Sequence, residues 1–235
     1  MTFASRFPIA KRWPPKHPDA IQFCSLDTPN GIRVSTMLEG TGLPHDAHCV
    51  SFQKTERMSP EFLSLNPSSK IPAIIDPHGP GGTPLPLWES GAILLYLADK
   101  TGRFIPSDPA GRWQAIRWLM FRMGGIGPMF GQVGWVHRWA GNEIADPRPR
   151  QRYCDEARRL LGVLDGQPAD KDWLPGDYSI LDMAICPWLR SLRDTCGAGA
   201  ETGLNDQPRI LAWLDRFLAR PAVRCGLDVP APPNA

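Results

Sequence analysis

Residues 66–102 read NPSSKIPAIIDPHGPGGTPLPLWESGAILLYLADKTG. Two apolar runs of strand length stand in this stretch, Ile71–Asp76 and Leu85–Trp88, with a Pro/Gly-rich turn over 78–83 between them. Pro72 lies at the entrance of the first run, where a sheet tolerates proline. Directly after the second run, Glu89-Ser90-Gly91 opens an apolar helical segment that continues through Lys100 and stops at Thr101-Gly102. Upstream, Ile21–Leu26 reads as a strand, Thr28-Pro29-Asn30-Gly31 as a turn, and Arg33–Gly40 as a helix. Ala47–Phe52 is a second strand, and Ser59-Pro60-Glu61 starts a short helix with Ser59 as N-cap and Pro60 at the first helical position. The order β-α-β-α-β-β-α favours a mixed sheet with helices on its faces.

From Pro109 onward the pattern turns helical. Arg112–Met123 is amphipathic, and Gly124-Gly125-Ile126-Gly127-Pro128 is expected to bend or break it. Pro149–Leu164 forms a second helix. Ser179-Ile180-Leu181-Asp182 resembles a capping box with Asp in place of Glu or Gln, and its helix runs to Leu192. Pro208–Leu218 is the last helix, ended by Arg220-Pro221. The expected organisation is an N-terminal arm over 1–20, an α/β domain over 21–102, a linker over 103–110, an all-helical domain over 111–226 and a tail over 227–235 that frays from Val229. The fold class is α/β followed by all-α.

Composition narrows the function classes. Hydrophobic residues make up 42% and charged residues 21%, which suits a globular chain and excludes a disordered one. A net charge of +2 gives no electrostatic case for nucleic acid or an anionic membrane as partner. The first eighteen residues mix four basic residues with four prolines and lack the apolar core of a signal peptide. The best apolar run, Gly91–Ala98, is far too short to span a bilayer. The six cysteines form no C-x-x-C pair and no metal-ligand spacing, so a reduced cytoplasmic protein without a metal is expected.

An α/β half followed by a helical half resembles the cytosolic glutathione transferases, and particular residues carry the resemblance further. Asn66-Pro67, Lys70-Ile71-Pro72-Ala73, Glu89-Ser90-Gly91-Ala92-Ile93 and Tyr96-Leu97 look like the glutathione-site signature of that superfamily. Tyr178–Ala184 looks like the start of its central C-terminal helix. Thr28-Pro29-Asn30-Gly31 resembles the active-site turn of the nu class, and Gly124–Gln132 resembles a nu-class run in the first helix of the second domain. The resemblance covers Ile21 to Arg220 and implies a thioredoxin-like domain followed by a helical transferase domain, assembled as a homodimer. It implies glutathione as cosubstrate, as two molecules or the oxidised dimer in each site, and a small disulfide or electrophile as the other substrate.

A protein that uses glutathione must hold two carboxylates and favour a thiolate. A free thiol titrates near ~8.5, and each unit of depression requires about 1.4 kcal/mol of differential interaction. Donors at a helix N-terminus supply this without a formal charge. The resemblance assigns the thiolate to Asn30, assisted by Thr28; the alternative is that both residues only cap a helix. Cys24 is the rival nucleophile, but its place in an apolar strand favours an inert thiol. The resemblance implies that Ile71-Pro72 is cis, with the Ile71 backbone pairing with the cysteinyl part of glutathione; the alternative is a proline that only marks the strand entrance. Ser90 and the first N–H groups of its helix suit the γ-glutamyl carboxylate, and Glu89 suits the α-amine. Lys70 suits the glycine carboxylate. Arg57 replaces a glutamine usual in nu-class relatives and either reaches that carboxylate or points into water. Gln132 and Arg152 match second-glutathione contacts, although Arg148, Arg150, Arg158 and Arg159 crowd the same stretch. Trp135, His137 and Trp139 either wall an aromatic-tolerant pocket or belong to the core. Asp182 reads as a structural cap.

Overall fold

The structure, a computed structural model, describes residues 6–53, 55–167, 172–174 and 176–231. It divides into two compact units. The first runs through Thr101 and also takes in the segment from Pro221; the second is Gly102–Arg220.

The first unit holds a four-stranded sheet in the order β2-β1-β3-β4, with β1 Ile21–Ser25, β2 His45–Cys49, β3 Ala73–Asp76 and β4 Leu85–Trp88. β1 pairs parallel with β2 and antiparallel with β3, and β3 pairs antiparallel with β4. Two helices, α1 Pro29–Thr41 and α2 Pro60–Leu63, stand between strands, and α3 Ser90–Thr101 follows β4. The expected element order is therefore present, with two shifts. β2 lies two residues earlier than the apolar run Ala47–Phe52, because register with β1 (Ile21 opposite His45) sets its bounds. The segment read as a turn, Thr28–Gly31, is the first turn of α1: Thr28 is the N-cap and Pro29 stands at the first position, where its fixed φ suits a helix.

α1 is buried over every residue from Gly31 to Leu38. Val34, Met37 and Leu38 have no exposed surface, and each contributes on the order of 2 kcal/mol by burial. The helix packs against α3 and against a helix the sequence reading missed, Pro221–Leu227. There Ser35 Oγ donates to the Gly226 carbonyl at 2.6 Å, and a side chain at Gly226 would meet the Thr36 backbone at 2.8 Å. Pro221 thus opens a helix instead of only closing one, and 221–226 belongs with the first unit, not with the helical domain. The last four residues of the expected tail lie outside the described residues.

The expected arm is docked. Ile9 is 3% exposed and joins a cluster with Cys24, Val50, Phe62, Leu65, Ile71, Ala73 and Ile75, and Trp13 Nε1 donates to the Cys49 carbonyl at 3.1 Å. Residues 1–5 of the arm lie outside the described residues.

The second unit is helical: α4 Pro109–Phe121, α5 Gly127–Arg138, α6 Arg148–Asp165, α7 Ile180–Arg190 and α8 Pro208–Leu218. The glycine run expected to break the first of these forms a π-helical turn, Arg122–Ile126, that carries the chain on into α5. The final helix, now α9, is Pro221–Leu227. α7 is the buried centre of the unit, from Ile180 to Pro187. Its capping box is complete: the Ser179 side chain caps the helix, and Asp182 accepts from the Ser179 backbone N–H at 2.8 Å.

Candidate functional site

Sheet register gathers the predicted residues of the first unit at one end. Cys24 near the end of β1 and Trp88 at the end of β4 both stand opposite Ala73 at the start of β3. The chain leaving β1 for α1, the chain entering β3 at Ile71-Pro72 and the chain leaving β4 at Glu89-Ser90 therefore share that end. Crevices at such strand ends are where open sheets bind ligands.

Thr28 Oγ1 accepts from the Gly31 N–H at 3.1 Å, the N-cap bond. That bond uses an oxygen lone pair and leaves the hydroxyl proton as a donor, so capping and ligand binding are compatible. Gly31 is required by close approach: a side chain there would collide with the Leu26 carbonyl and the Ser25 hydroxyl. Asn30 is half-buried in the first turn, and its Oδ1 accepts from Arg33 Nη2 at 2.5 Å. Arg33 has no exposed surface, and its Nη1 donates to Ser90 Oγ at 3.1 Å. One guanidinium thereby ties the N-terminus of α1 to the N-terminus of α3.

The Ile71-Pro72 peptide is cis, as expected, and both residues are buried just ahead of the first ladder residue of β3. Ser90 is 4% exposed and is the first residue of α3. Glu89 before it is exposed at a φ of 70°, a left-handed backbone rarely adopted by glutamate. Lys70 is exposed, and its carbonyl accepts from Asn66 Nδ2 at 2.5 Å. Arg57 takes neither of its two expected positions cleanly. Its Nη1 donates to the Ser69 carbonyl at 3.3 Å, next to Lys70, and its guanidinium lies 5.4 Å from the Phe52 ring centroid. Cys24 is 2% exposed, and burial pushes its thiol up to about 12. A thiol so protonated is a poor nucleophile at neutral pH.

In the second unit Gln132 lies exposed on α5 and Arg152 exposed on α6, helices that pack together. Arg152 lines an open cavity of about 860 Å³ with Met129, Arg148, Gln151, Tyr153 and Glu156. Its basic neighbours are engaged nearby: Arg148 with Asp146, Arg158 with Asp155, Arg159 with Glu156, and Arg150 with the Val136 carbonyl. Trp135 and Trp139 are 42% and 50% exposed. His137 faces elsewhere: two residues on from Trp135 is about 200° around a helix, and its Nε2 lies 3.7 Å from Glu201. The three aromatic positions therefore do not form one wall. Among the described residues no cluster of His, Cys, Asp and Glu suits a metal, and no helix is long and apolar enough to cross a membrane.

Residues 28–100 match the model of the glutathione S-transferase N-terminal domain. A glutathione transferase from Burkholderia graminis, solved with two glutathione molecules bound per subunit, is 56% identical, with a TM-score of 0.96 over 98% of this chain and 97% of the other. A glutathione transferase from Pseudomonas putida, solved with one glutathione disulfide per subunit, is 54% identical, with a TM-score of 0.95 over 97% of this chain and 100% of the other. The disulfide-bond oxidoreductase YfcG of Escherichia coli is 39% identical over 198 residues, 83% of this chain and 88% of the relative. The chain belongs to the glutathione transferase family.

Within that family frame, one feature of the site, Arg33, is not signalled by the local sequence. Arg33 was read as an ordinary helix residue, since a lone arginine on a helix is by default solvated. Its burial follows from tertiary packing that no local pattern signals. Asp182, by contrast, was legible: its oxygens accept from the Leu174, Ser179 and Trp213 N–H groups, so it is a structural cap.

Proposed function

We propose that this chain is a glutathione-dependent disulfide-bond reductase of nu-class type, with the glutathione thiolate held by Thr28 and Asn30. The observation that carries the reading is the convergence, at one sheet end, of the α1 N-terminus, the cis Ile71-Pro72 peptide and the α3 N-terminus. Each meets one part of glutathione. The first-turn N–H groups of α1, the Thr28 hydroxyl and the Asn30 amide stabilise sulfur as the anion. The Ile71 backbone pairs with the cysteinyl unit as a short strand. Ser90 and the α3 N-terminus take the γ-glutamyl carboxylate, and Glu89 takes the α-amine. Lys70, with Arg57 held close by through Ser69, takes the glycine carboxylate. Gln132 and Arg152 bind a second glutathione.

The thiolate attacks one sulfur of a small disulfide, an S–S bond forms as the old one breaks, and the departing thiolate takes a proton from solvent. A second glutathione thiolate then attacks the glutathione sulfur of this mixed disulfide; that S–S bond breaks, the remaining substrate thiolate leaves and is protonated by solvent, and glutathione disulfide forms, so no protein cysteine takes part. The relatives crystallised with two glutathiones or with glutathione disulfide, and the name of the Escherichia coli relative, support a glutathione-dependent disulfide chemistry. The exposed Trp135 and Trp139 favour a second reading, attack of the same thiolate on an aryl electrophile or aryl ether. The retained site residues count against a non-catalytic role.

The deciding experiment is steady-state reduction of a small mixed disulfide by glutathione, wild type beside Asn30→Ala. Turnover should fall by about 100-fold in the variant if a thiolate donor is removed. A wild type that binds glutathione yet reduces no disulfide, while converting aryl ethers or halides, would transfer the assignment to the second reading.

A further inference from the structure

We propose that Arg33 is a positioning residue that sets the polarity of the glutathione site, fixing both the Asn30 amide and the Ser90 hydroxyl so that each presents a donor to an anionic ligand. The proposal rests on the functional reading above and names a residue that reading does not use. Its basis is geometric. The guanidinium is wholly buried, one of its terminal nitrogens lies 2.5 Å from Asn30 Oδ1, and the other lies 3.1 Å from Ser90 Oγ.

The chemistry of the two recipients gives those bonds direction. Guanidinium donates only, so whatever faces it must accept. An asparagine amide can turn over with almost no change in shape, offering a carbonyl oxygen or an amine to the same place. Arg33 removes that freedom: Oδ1 is drawn to the cation, and Nδ2 is turned away from it. A thiolate is repelled by the first end of the amide and attracted by the second. The Ser90 hydroxyl is ambivalent in the same way. With a lone pair committed to Arg33, its proton is the part left to donate to a carboxylate.

Charge acts in the same sense. Hydrogen bonds from an ionised donor are shorter and stronger than neutral ones. Here the cation also stands behind two helix N-termini, both already positive. That placement is unfavourable for the empty protein and favourable once a thiolate and a carboxylate arrive. Lysine keeps a charge but lacks the fork that reaches two helices at once.

The test uses the full-length protein with two variants, Arg33→Met and Arg33→Lys. The thiol of bound glutathione is titrated by thiolate absorbance, glutathione affinity is measured by calorimetry, and folding is checked by circular dichroism. In Arg33→Met the bound thiol should titrate about one unit higher, so that disulfide turnover falls roughly tenfold below neutral pH and recovers in alkali. Arg33→Lys should keep the wild-type titration yet bind glutathione several-fold more weakly. A folded Arg33→Met protein with wild-type titration and affinity overturns the proposal. If Arg33→Met does not fold, Arg33→Lys decides, and wild-type affinity in that variant overturns it. A wild type that neither binds glutathione nor reduces disulfides would instead sink the functional reading itself.

Discussion

Replacing Asp182 by alanine should strongly destabilise the fold, and the size of the effect should depend on pH. Asp182 has no exposed surface. Its Oδ1 accepts from Trp213 Nε1 at 2.8 Å and from the Leu174 N–H at 3.2 Å, and its Oδ2 accepts from the Ser179 N–H at 2.8 Å. Alanine strands all three buried donors, each worth about 1–3 kcal/mol when left unsatisfied. Relief of the buried carboxyl offsets part of this, so a net loss of about 3–5 kcal/mol is expected at mildly acidic pH.

The pH dependence has a definite sign. Burial pushes the carboxyl up to about 7, against the opposing pull of its donors. A protonated Oδ2 has Ser179 Oγ as an acceptor 3.2 Å away. Since the folded value lies above the unfolded one of about 3.9, this group's contribution is fully present below the unfolded value and lost as pH rises through the folded one. Between about pH 5.5 and 8 the wild type should give up about 2 kcal/mol that the alanine variant never had, so the gap between them narrows. Urea unfolding at fixed protein concentration, followed by tryptophan fluorescence at both pH values, measures it. A gap under about 1 kcal/mol in acid refutes the donor count. A gap that widens with pH refutes the ranking of burial over hydrogen bonding.

Three further outcomes follow from the same structure. Cys24→Ala should leave disulfide turnover at the wild-type level, because the thiol is buried and pushed up to about 12; a folded variant without turnover would make Cys24 the nucleophile. Gly31→Ala should lower the melting temperature and weaken glutathione binding together, since its side chain would collide with the Leu26 carbonyl and displace the first turn of α1; a wild-type melting curve would contradict that packing. Lys100→Met should cost about 3 kcal/mol at neutral pH, because Lys100 Nζ lies 2.8 Å from the buried Asp76 carboxylate. Although burial opposes it, bonding from Lys100, Tyr96 and the His78 N–H holds Asp76 below its ordinary value, so its contribution is present above the unfolded value and lost as pH falls through the folded one. The effect of Lys100→Met should accordingly shrink in acid denaturation profiles.

Punctuation decided which elements could be read from the chain. Leu85–Trp88 and Pro208–Leu218 coincide with the structure because proline, glycine or a charged break bounds them on both sides. β2 was misplaced because its residues, His-Asp-Ala-His-Cys, carry no apolar run; only pairing with β1 makes them a strand. The residues at the sheet end were legible because turn chemistry and helix caps are local. Side-chain direction was not: nothing local indicates that His137 turns to Glu201 instead of standing beside Trp135.

The two omissions, α9 and Arg33, have a common physical origin. Proline both ends helices and begins them, and at Pro221 the choice is made by contact with α1, not by neighbours in sequence. Without α9, the Ser35–Thr36 side of α1 looks like a solvent face, and an arginine among such residues is assigned to water. With Ser35 bonded to the Gly226 carbonyl and Gly226 against the Thr36 backbone, that side is closed. α1 then has no solvent face from Gly31 to Leu38, and Arg33 must be inside. A cation held there needs acceptors, and the first-turn Asn30 and the α3 cap Ser90 supply them. Closure of the far side of α1 by a C-terminal helix is therefore part of what orients the side chains at the near end of the sheet, although α9 itself carries none of the proposed ligands.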